Sequence, residues 1–240
     1  MKYKIVIFDI GKTLLDKNVA PCISSQVLSD IKELKKQGIK VGVCTMRTIK
    51  HCREIIPAEL DFYICLNGSH ITCDGKLIFE SPLEYRPDSL DYLSYGGEHA
   101  YCSSENAWKK AVKNGFLAER YGVAALGYNY VLFDILKEQL PDFFAYHTEY
   151  WEATQTLSLQ NADASKSRGI RRVLDYYELE EPILYFGDGP NDLAIFQQYS
   201  DCVCMGDCDP KLCKYALFQT GTCKDAGVSY ALRKVGILPF

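Results

Sequence analysis

The stretch Phe8-Asp9-Ile10-Gly11-Lys12-Thr13-Leu14-Leu15 decides the fold, because it joins a buried strand to a polar loop. It follows Tyr3-Lys4-Ile5-Val6-Ile7, a run rich in β-branched residues. A short apolar run bounded by a turn signal is typical of a strand buried in a parallel sheet. Ligands of open α/β sheets bind beyond the carboxyl ends of the strands, so we expect Asp9 to lie where chemistry is done.

The segment after this loop predicts a βαβ unit. Ser24 or Ser25 can cap a helix that has apolar residues on one face, and Gly38 ends that helix. Residues 39–43 predict a second strand, which runs parallel to the first because such crossovers are right-handed almost by rule. Thr45 follows this strand, so we expect it at the same sheet edge as the aspartate of the first loop.

The βα pattern continues to about residue 82. We predict a helix at about 49–56, a third strand at 62–66 that ends at Asn67-Gly68, and a hairpin at 71–79 that turns at Asp74-Gly75.

The pattern is lost from about Leu83, where prolines, glycines and aromatic residues become dense. Residues around Trp108 predict an amphipathic helix ended by Gly115, and Leu132, Ile135 and Leu136 predict another. Strands are predicted at 143–147 and 155–160. We interpret 83–163 as an inserted α+β domain, with 1–82 and 164–240 forming the core domain.

The βα pattern then returns. Ser165 can cap a helix that starts at Lys166, and residues 183–186 predict a strand that ends at Gly187-Asp188-Gly189-Pro190-Asn191-Asp192. A short strand at 202–205 and a helix at about 225–235 close the chain. The predicted fold class is therefore α/β, with a Rossmann-like parallel-sheet core interrupted by the insertion.

Five polar residues are predicted to converge at one sheet edge: Asp9, Thr45, Lys166, Asp188 and Asp192. Carboxylates that meet there repel one another unless a cation lies among them, and oxygen ligands favour Mg²⁺. A threonine hydroxyl and a lysine ammonium can donate hydrogen bonds to phosphate, and a carboxylate can attack phosphorus as a nucleophile.

Each of these residues also has an ordinary structural interpretation. Asp9 could be a turn aspartate and Thr45 a strand-end threonine, while Lys166 could be a solvated lysine in a first helical turn. Asp188 and Asp192 could simply be acidic residues at the start of a helix, where negative charge interacts favourably with the helix dipole. Their order in one α/β chain is more specific than any of them alone.

The order of motifs resembles that of the haloacid dehalogenase (HAD) superfamily, in particular its Cof-type members with a C2 cap. Asp9, Thr13 and Leu14 match D-x-D-G-T-L, while Gly11 and Lys12 depart from it. The other matching segments are Thr45-Met46-Arg47, Asn67-Gly68, Lys166 with Gly169, Gly187 to Asp192, Met205-Gly206 and Asp225-Ala226-Gly227.

This resemblance implies Mg²⁺-dependent hydrolysis of phosphate monoesters, usually sugar phosphates or related small metabolites, and a cap over residues 83–163. It implies that Asp9 is both nucleophile and metal ligand. Asp188 and Asp192 are the other implied metal-ligating side chains, and Gly11 could bind the metal through its carbonyl. Thr45 and Lys166 would hold the phosphoryl group, and the remaining implied substrate contacts are Arg47, Asn67, Gly68 and Asn191.

Gly11 is the important departure, because the family's second aspartate protonates the leaving group and then activates water. The first interpretation is a phosphatase impaired by that loss. The second is a phosphate- and metal-binding homologue that has lost turnover and acts as a sensor or interaction protein. Gly11-Lys12-Thr13 also mimics the end of a P-loop, but Val6 occupies the position where that motif needs its first glycine.

The composition limits the other function classes. The chain has 240 residues and a formal net charge of −4, which predicts neither a basic nucleic-acid surface nor a nucleic-acid partner. The N-terminal apolar run is too short for a signal peptide, and none of the apolar runs reaches the length of a membrane span. We therefore expect a cytoplasmic protein with reduced thiols.

Four of the eleven cysteines lie close together in the sequence, namely Cys202, Cys204, Cys208 and Cys213. They lack the C-x₂-C pair of common zinc sites. We interpret them as small buried residues near a strand end.

Overall fold

The structure is a computed structural model, and it describes residues 2–16, 22–83, 90–96, 99–116, 127–136 and 146–240. Its strands are β1 Ile5–Phe8, β2 Lys40–Cys44, β3 Phe62–Cys65, β4 His70–Cys73, β5 Lys76–Glu80, β6 Tyr92–Gly96, β7 His99–Cys102, β8 Asn129–Leu132, β9 Tyr146–Trp151, β10 Thr156–Asn161, β11 Leu184–Gly187, β12 Cys202–Cys204 and β13 Phe218–Gln219. Its α-helices are α1 Ser25–Lys36, α2 Ile49–Ile55, α3 Glu105–Lys113, α4 Lys166–Tyr176, α5 Leu193–Gln198, α6 Pro210–Cys213 and α7 Gly227–Lys234.

An eight-stranded sheet forms the core, in the order β13-β12-β11-β1-β2-β3-β4-β5. The six strands from β13 to β3 are parallel, and the β4–β5 hairpin is added antiparallel at one edge. Strand β1 lies between β11 and β2, where Val6 pairs with both Leu184 and Val41. The loops after β1, β2 and β11 therefore meet at one sheet edge.

Both faces of the core sheet are covered by helices. Val6 and Phe8 of β1 share one apolar cluster with residues of α1 and α7, while Ile5 and Ile7 share another with residues of α4 and α5. All four β1 side chains are fully buried. This explains why the strand is continuously apolar rather than alternating.

A second sheet of five antiparallel strands has the order β7-β6-β8-β10-β9. Its strands come from the part of the chain that interrupts the βα pattern, and Asn129 of β8 donates a hydrogen bond from Nδ2 to the carbonyl oxygen of Leu66 over 2.7 Å. The predicted α/β class with an inserted α+β cap is confirmed. The exact domain bounds, 1–82 with 164–240 and 83–163, stay a prediction.

Leu132, Ile135 and Leu136 do not form the helix that was predicted from them, and residues 137–145 lie outside the described residues. Leu132 ends strand β8, and Ile135 and Leu136 follow in irregular structure. Leu132 and Ile135 pack into an apolar cluster of the second sheet, so their apolar character reflects burial against that sheet rather than a helical face. The strand predicted at 143–147 lies partly outside the described residues, and within them β9 begins at Tyr146.

The helices in the described ranges do not combine the length and apolar composition that a membrane crossing needs.

Candidate active site

Asp9 is placed immediately after β1 and is only 7% exposed. Its backbone N–H donates to the carbonyl oxygen of Phe186 over 2.8 Å, so the parallel pairing with β11 extends to the loop. The chain then turns sharply, because the N–H groups of Leu14 and Leu15 both donate to the carbonyl of Ile10. This turn holds the Asp9 carboxylate at the carboxyl edge of the sheet.

Lys166 links two of the predicted aspartates. Its Nζ lies 2.7 Å from Asp9 Oδ1 and 2.7 Å from Asp192 Oδ1. The lysine is 3% exposed and Asp192 is fully buried. Burial alone would lower the pKa of Lys166, but the carboxylates of Asp192 and Asp9 outweigh it and hold that pKa well above its usual range. Lys166 is therefore a buried cation, and the solvated-lysine interpretation is wrong.

The start of α4 is fixed by its cap and by a close backbone approach. The Ser165 hydroxyl accepts a hydrogen bond from the N–H of Arg168, which caps the helix that begins with Lys166. Gly68 lies against this cap with φ +95°, and a Cβ at Gly68 would come within 2.3 Å of the Ser165 carbonyl oxygen. A glycine is required here both for backbone conformation and for space.

Asp192 is held by four donors. Its Oδ1 accepts from Lys166 Nζ and from the Tyr185 hydroxyl at 2.6 Å, and its Oδ2 accepts from the N–H groups of Asp188 and Gly189 at 3.0 and 3.1 Å. These hydrogen bonds offset the free-energy cost of burying the Asp192 carboxylate completely. They also fix Lys166 and the Asp188 loop relative to each other.

Asp188 faces the same edge with fewer partners. Thr13 donates a hydrogen bond from its hydroxyl to Asp188 Oδ1 over 3.4 Å. Burial, and then the negative charges of Asp9 and Asp192, raise the pKa of Asp188 to about 8. The pKa of Asp9 is also raised, chiefly by burial, although Lys166 counteracts the shift. A bound cation would remove the cost of ionising both groups.

The donor set fits Mg²⁺. Asp9, Asp188 and Asp192 each offer an oxygen, and these oxygens lie within 4.8 Å of one another. Hard oxygen ligands and one or two carboxylates are what Mg²⁺ uses when it also binds a phosphate. Asp188 and Asp9 are the better candidates for ligands, because both oxygens of Asp192 already accept hydrogen bonds. The Gly11 carbonyl accepts from the Thr13 N–H at 2.7 Å, which leaves a second lone pair for a metal.

A cavity of about 500 Å³ opens over Asp9 and Asp188. It includes four other residues predicted for the site, namely Gly11, Thr45, Arg47 and Asn191, and it extends along Lys50, Tyr95 and Phe116. Burial lowers the pKa of Arg47, and among the described residues its Nη1 is buried with no hydrogen-bond partner. An unsatisfied, buried guanidinium N–H beside this cavity is suited to an anionic or hydroxyl-bearing ligand.

A second cavity of about 420 Å³ contains Asn67 and Lys166 and shares Asn191 with the first. Asn67 has φ +52° and is buried, and its Oδ1 has no hydrogen-bond partner among the described residues. Gly68 lines neither cavity and instead supports the α4 cap. The structure thus brings the predicted residues to one region, with Gly68 behind them.

The sequence did not predict two residues that contribute to the site. Thr13 contacts Asp188, and Tyr185 donates to Asp192 from within β11. Thr13 could have been found, because it lies in the same loop as Asp9. Tyr185 carried no signal, since an aromatic residue in a buried strand is normally part of the core.

The family model of haloacid dehalogenase-like hydrolases matches residues 6–112 and 122–232. These ranges include all of the site residues predicted from the sequence, while Phe116 of the cavity wall lies between them.

Two curated proteins are similar along nearly the whole chain. A Streptococcus pyogenes protein, to which bifunctional phosphatase and peptidyl-prolyl cis-trans isomerase activity is ascribed, is 28% identical over 264 residues. The match covers 99% of this chain and 55% of that protein, so the chain spans about half of that relative's length. A Bacillus subtilis protein to which phosphatase activity is ascribed is 24% identical over 259 residues, covering 99% of this chain and 100% of that one.

Among solved structures, a sugar phosphatase of HAD subclass IIB superposes with a TM-score of 0.79. The match has 19% sequence identity and covers 98% of this chain and 100% of that chain. At this level of identity, the likeness is one of fold.

Proposed function

This chain belongs to the haloacid dehalogenase-like hydrolases, with the Cof-type motif order, and from that membership we propose that it is a Mg²⁺-dependent phosphatase of small phosphorylated metabolites. The observation that carries the proposal is the Lys166 bridge, in which the ammonium contacts Asp9 at Oδ1. The other oxygen, Oδ2, is the atom nearest to the space beside Gly11. Asp9 Oδ2 is therefore the proposed nucleophile.

In the proposed reaction, Asp9 Oδ2 forms a bond to phosphorus while the bond from phosphorus to the leaving oxygen breaks. Water then attacks phosphorus and releases Asp9 and inorganic phosphate. Lys166 uses two of its three N–H groups on carboxylates, so one remains for a phosphate oxygen. Thr45 lines the cavity over Asp9 and would donate its hydroxyl to another phosphate oxygen. Mg²⁺ held by Asp9 and Asp188 would supply charge neutralisation at the phosphoryl oxygens.

We propose that turnover is limited by Gly11, which has no acid or base to offer. General acid–base catalysis contributes about 10²–10⁴-fold, so alkyl phosphates such as sugar phosphates should react slowly. Aryl and acyl phosphates need little protonation of the leaving oxygen and should react faster. The structure leaves room for the missing group, because a Cβ at Gly11 would meet only Asp9 Oδ2, at 3.8 Å, among the described residues.

Sugar phosphates are the proposed substrate class for two reasons. The subclass IIB relative described above is a sugar phosphatase, and the cavity here is large enough for a small polar metabolite. Arg47 offers a buried, unsatisfied donor for a substrate hydroxyl or carboxylate.

The decisive experiment compares the wild type with Gly11→Asp on aryl, acyl and sugar phosphates in the presence of Mg²⁺. We expect Gly11→Asp to accelerate sugar phosphate hydrolysis within the 10²–10⁴-fold range and to accelerate acyl phosphate hydrolysis less. Asp9→Asn in both backgrounds is the control and should abolish turnover. Wild-type rates of an ordinary phosphatase, unchanged by Gly11→Asp, would contradict the proposed role of Gly11.

A second candidate function is a phosphate- and Mg²⁺-binding protein without turnover, and Gly11 is the observation that favours it. Steady-state phosphate release in the presence of Mg²⁺ separates the two, because both bind Mg²⁺ but only the phosphatase releases phosphate. Titration calorimetry with Mg²⁺ tests the metal site itself. We expect Asp188→Ala to weaken Mg²⁺ binding strongly. Equal affinity in wild type and Asp188→Ala would remove Asp188 from the metal site.

A further inference from the structure

Three cysteine side chains meet at the end of strand β12, away from the carboxylates. Cys204 is the last residue of β12, Cys208 lies in the turn that follows, and Cys213 ends helix α6. Cys213 Sγ lies 3.9 Å from Cys204 Sγ and 3.7 Å from Cys208 Sγ, and all three sulfur atoms lie within 4.8 Å of one another. We call these residues the thiol triad.

Packing does not explain the thiol triad. The sequence interpretation as small buried residues holds for Cys202 and Cys204, but Cys208 is only partly buried and Cys213 is exposed. Cys202 does not belong to the triad, and its Sγ donates instead to the carbonyl of Tyr199. An exposed cysteine whose sulfur points at two others needs a chemical reason for its position.

The spacing of the sulfur atoms suits a metal rather than a disulfide. A disulfide requires sulfur atoms about 2.05 Å apart, and all three cysteines are free. Thiolates bound at about 2.3 Å to a tetrahedral Zn²⁺ lie about 3.8 Å from one another. The two sulfur–sulfur distances measured to Cys213 bracket that value.

Burial raises the pKa of the Cys208 thiol to about 11 and also raises that of Cys204, so thiolates form here only when a cation binds. Gln219 Nε2 lies 3.8 Å from Cys208 Sγ and also donates to the carbonyl oxygens of Met205 and Gly206. The two N–H groups of this amide are shared among three acceptors, and one that turns to Cys208 Sγ would stabilise the negative charge of a bound thiolate. The exposure of Cys213 leaves one side of the triad open, where a water molecule can complete a tetrahedral site.

We infer that Cys204, Cys208 and Cys213 form a second metal site, which binds one thiophilic divalent cation such as Zn²⁺ through three sulfur ligands. Binding converts three thiols into thiolates and releases their protons to solvent, with no oxidation or reduction. The site is independent of the Mg²⁺ site, which has only oxygen donors. Soft thiolate ligands select Zn²⁺ over Mg²⁺.

A metal here would fix the loop beside the candidate active site. The N–H of Asp209, next to Cys208, donates to the carbonyl oxygen of Asp188 over 2.8 Å. Met205 likewise donates its N–H to the carbonyl of Gly187. The proposed role of the metal is therefore structural, joining β12, its turn and α6 into one rigid unit.

The test uses Co²⁺ as a spectroscopic probe of the full chain, kept reduced with a phosphine and freed of metal beforehand. We expect one equivalent of Co²⁺ to produce a sulfur-to-cobalt charge-transfer band, which Zn²⁺ then displaces. Co²⁺ at the carboxylate site cannot produce this band, because that site has no sulfur. Competition with a chromogenic chelator gives the Zn²⁺ affinity.

Cys213→Ser and Cys208→Ser should each weaken the band, because one of three sulfur ligands is lost, and should weaken Zn²⁺ binding at least tenfold. Cys213 is exposed, so its replacement leaves the fold intact, and circular dichroism checks this. Cys223→Ser is the matched control, a partly buried cysteine outside the triad, and should behave as wild type. Absence of the band in the wild type, or an equal band in Cys213→Ser, overturns the assignment.

Discussion

Replacing Lys166 with methionine tests the central contact of the candidate site without relying on any substrate. Methionine has a similar length and keeps the space filled, but it removes the ammonium that lies 2.7 Å from both Asp9 Oδ1 and Asp192 Oδ1. The variant leaves two buried carboxylates without their cation.

The size of the effect follows from burial. Lys166 and Asp192 are almost completely inaccessible, so water cannot screen or replace the lost contacts. Removing one member of a buried ion pair costs about 3–5 kcal/mol, because the remaining charge stays unpaired. We expect Lys166→Met to lose about that much of the free energy of unfolding. This loss is a large share of the free energy of unfolding of a typical protein, which is roughly 5–15 kcal/mol.

The loss should depend on pH. The raised pKa of Lys166 means that its contribution is complete below its unfolded pKa of about 10.4 and is lost only above it. Without Lys166, the pKa of Asp9 rises further, and the folded state keeps a proton that the unfolded state releases above about pH 4. The deficit of the variant should therefore be larger at pH 8 than at pH 5.

Urea unfolding of metal-free protein at both pH values measures this deficit. Lys12→Met is the matched control, since Lys12 is an exposed lysine of the same site, and its effect should stay within about 0.5 kcal/mol. Adding Asp9→Asn to Lys166→Met should recover part of the loss. A deficit below about 1 kcal/mol, or one that is equal at both pH values, would refute the buried-bridge reasoning.

Two further perturbations test the elements that support this bridge. Gly68→Ala should cost about 2–4 kcal/mol in urea unfolding, because its backbone is left-handed and its new methyl group would meet the Ser165 carbonyl. Gly75→Ala, also left-handed but with open space among the described residues, should cost only about 1–2 kcal/mol, and equal costs would contradict the close approach. Asp188→Asn should reduce the loss of stability between pH 5 and pH 8 in metal-free protein. The pKa of Asp188 is raised to about 8, so the folded state holds a proton that the unfolded state has already released; an unchanged pH dependence would show that Asp188 ionises normally.

Much of the core fold could be predicted because its signals are local. The continuous apolar runs of β1 and β2 reflect burial on both faces, and the serine at position 24 and Gly38 lie where α1 is capped and ended. The second sheet was harder, because its antiparallel strands are short and glycines and prolines occur in the segments between them. Leu132 was assigned to a helix because it forms helical spacing with Ile135 and Leu136. The same spacing can also arise from a strand and the turn that follows it.

By itself, the sequence determined that β1 and β2 run parallel and at which sheet edge Asp9, Thr45, Lys166 and Asp188 come together. It could do so because strand burial and crossover handedness are consequences of local pattern. The sequence also shows that position 11 is a glycine without a carboxylate, and folding cannot change that.

Only the tertiary structure decided what these groups do to one another. Contacts such as Lys166 with Asp192, Tyr185 with Asp192 and Cys204 with Cys213 form only when the packed segments are placed to within a fraction of an ångström of these positions. Burial and charge then set the pKa of each group, and both are properties of the assembled fold rather than of the residue order.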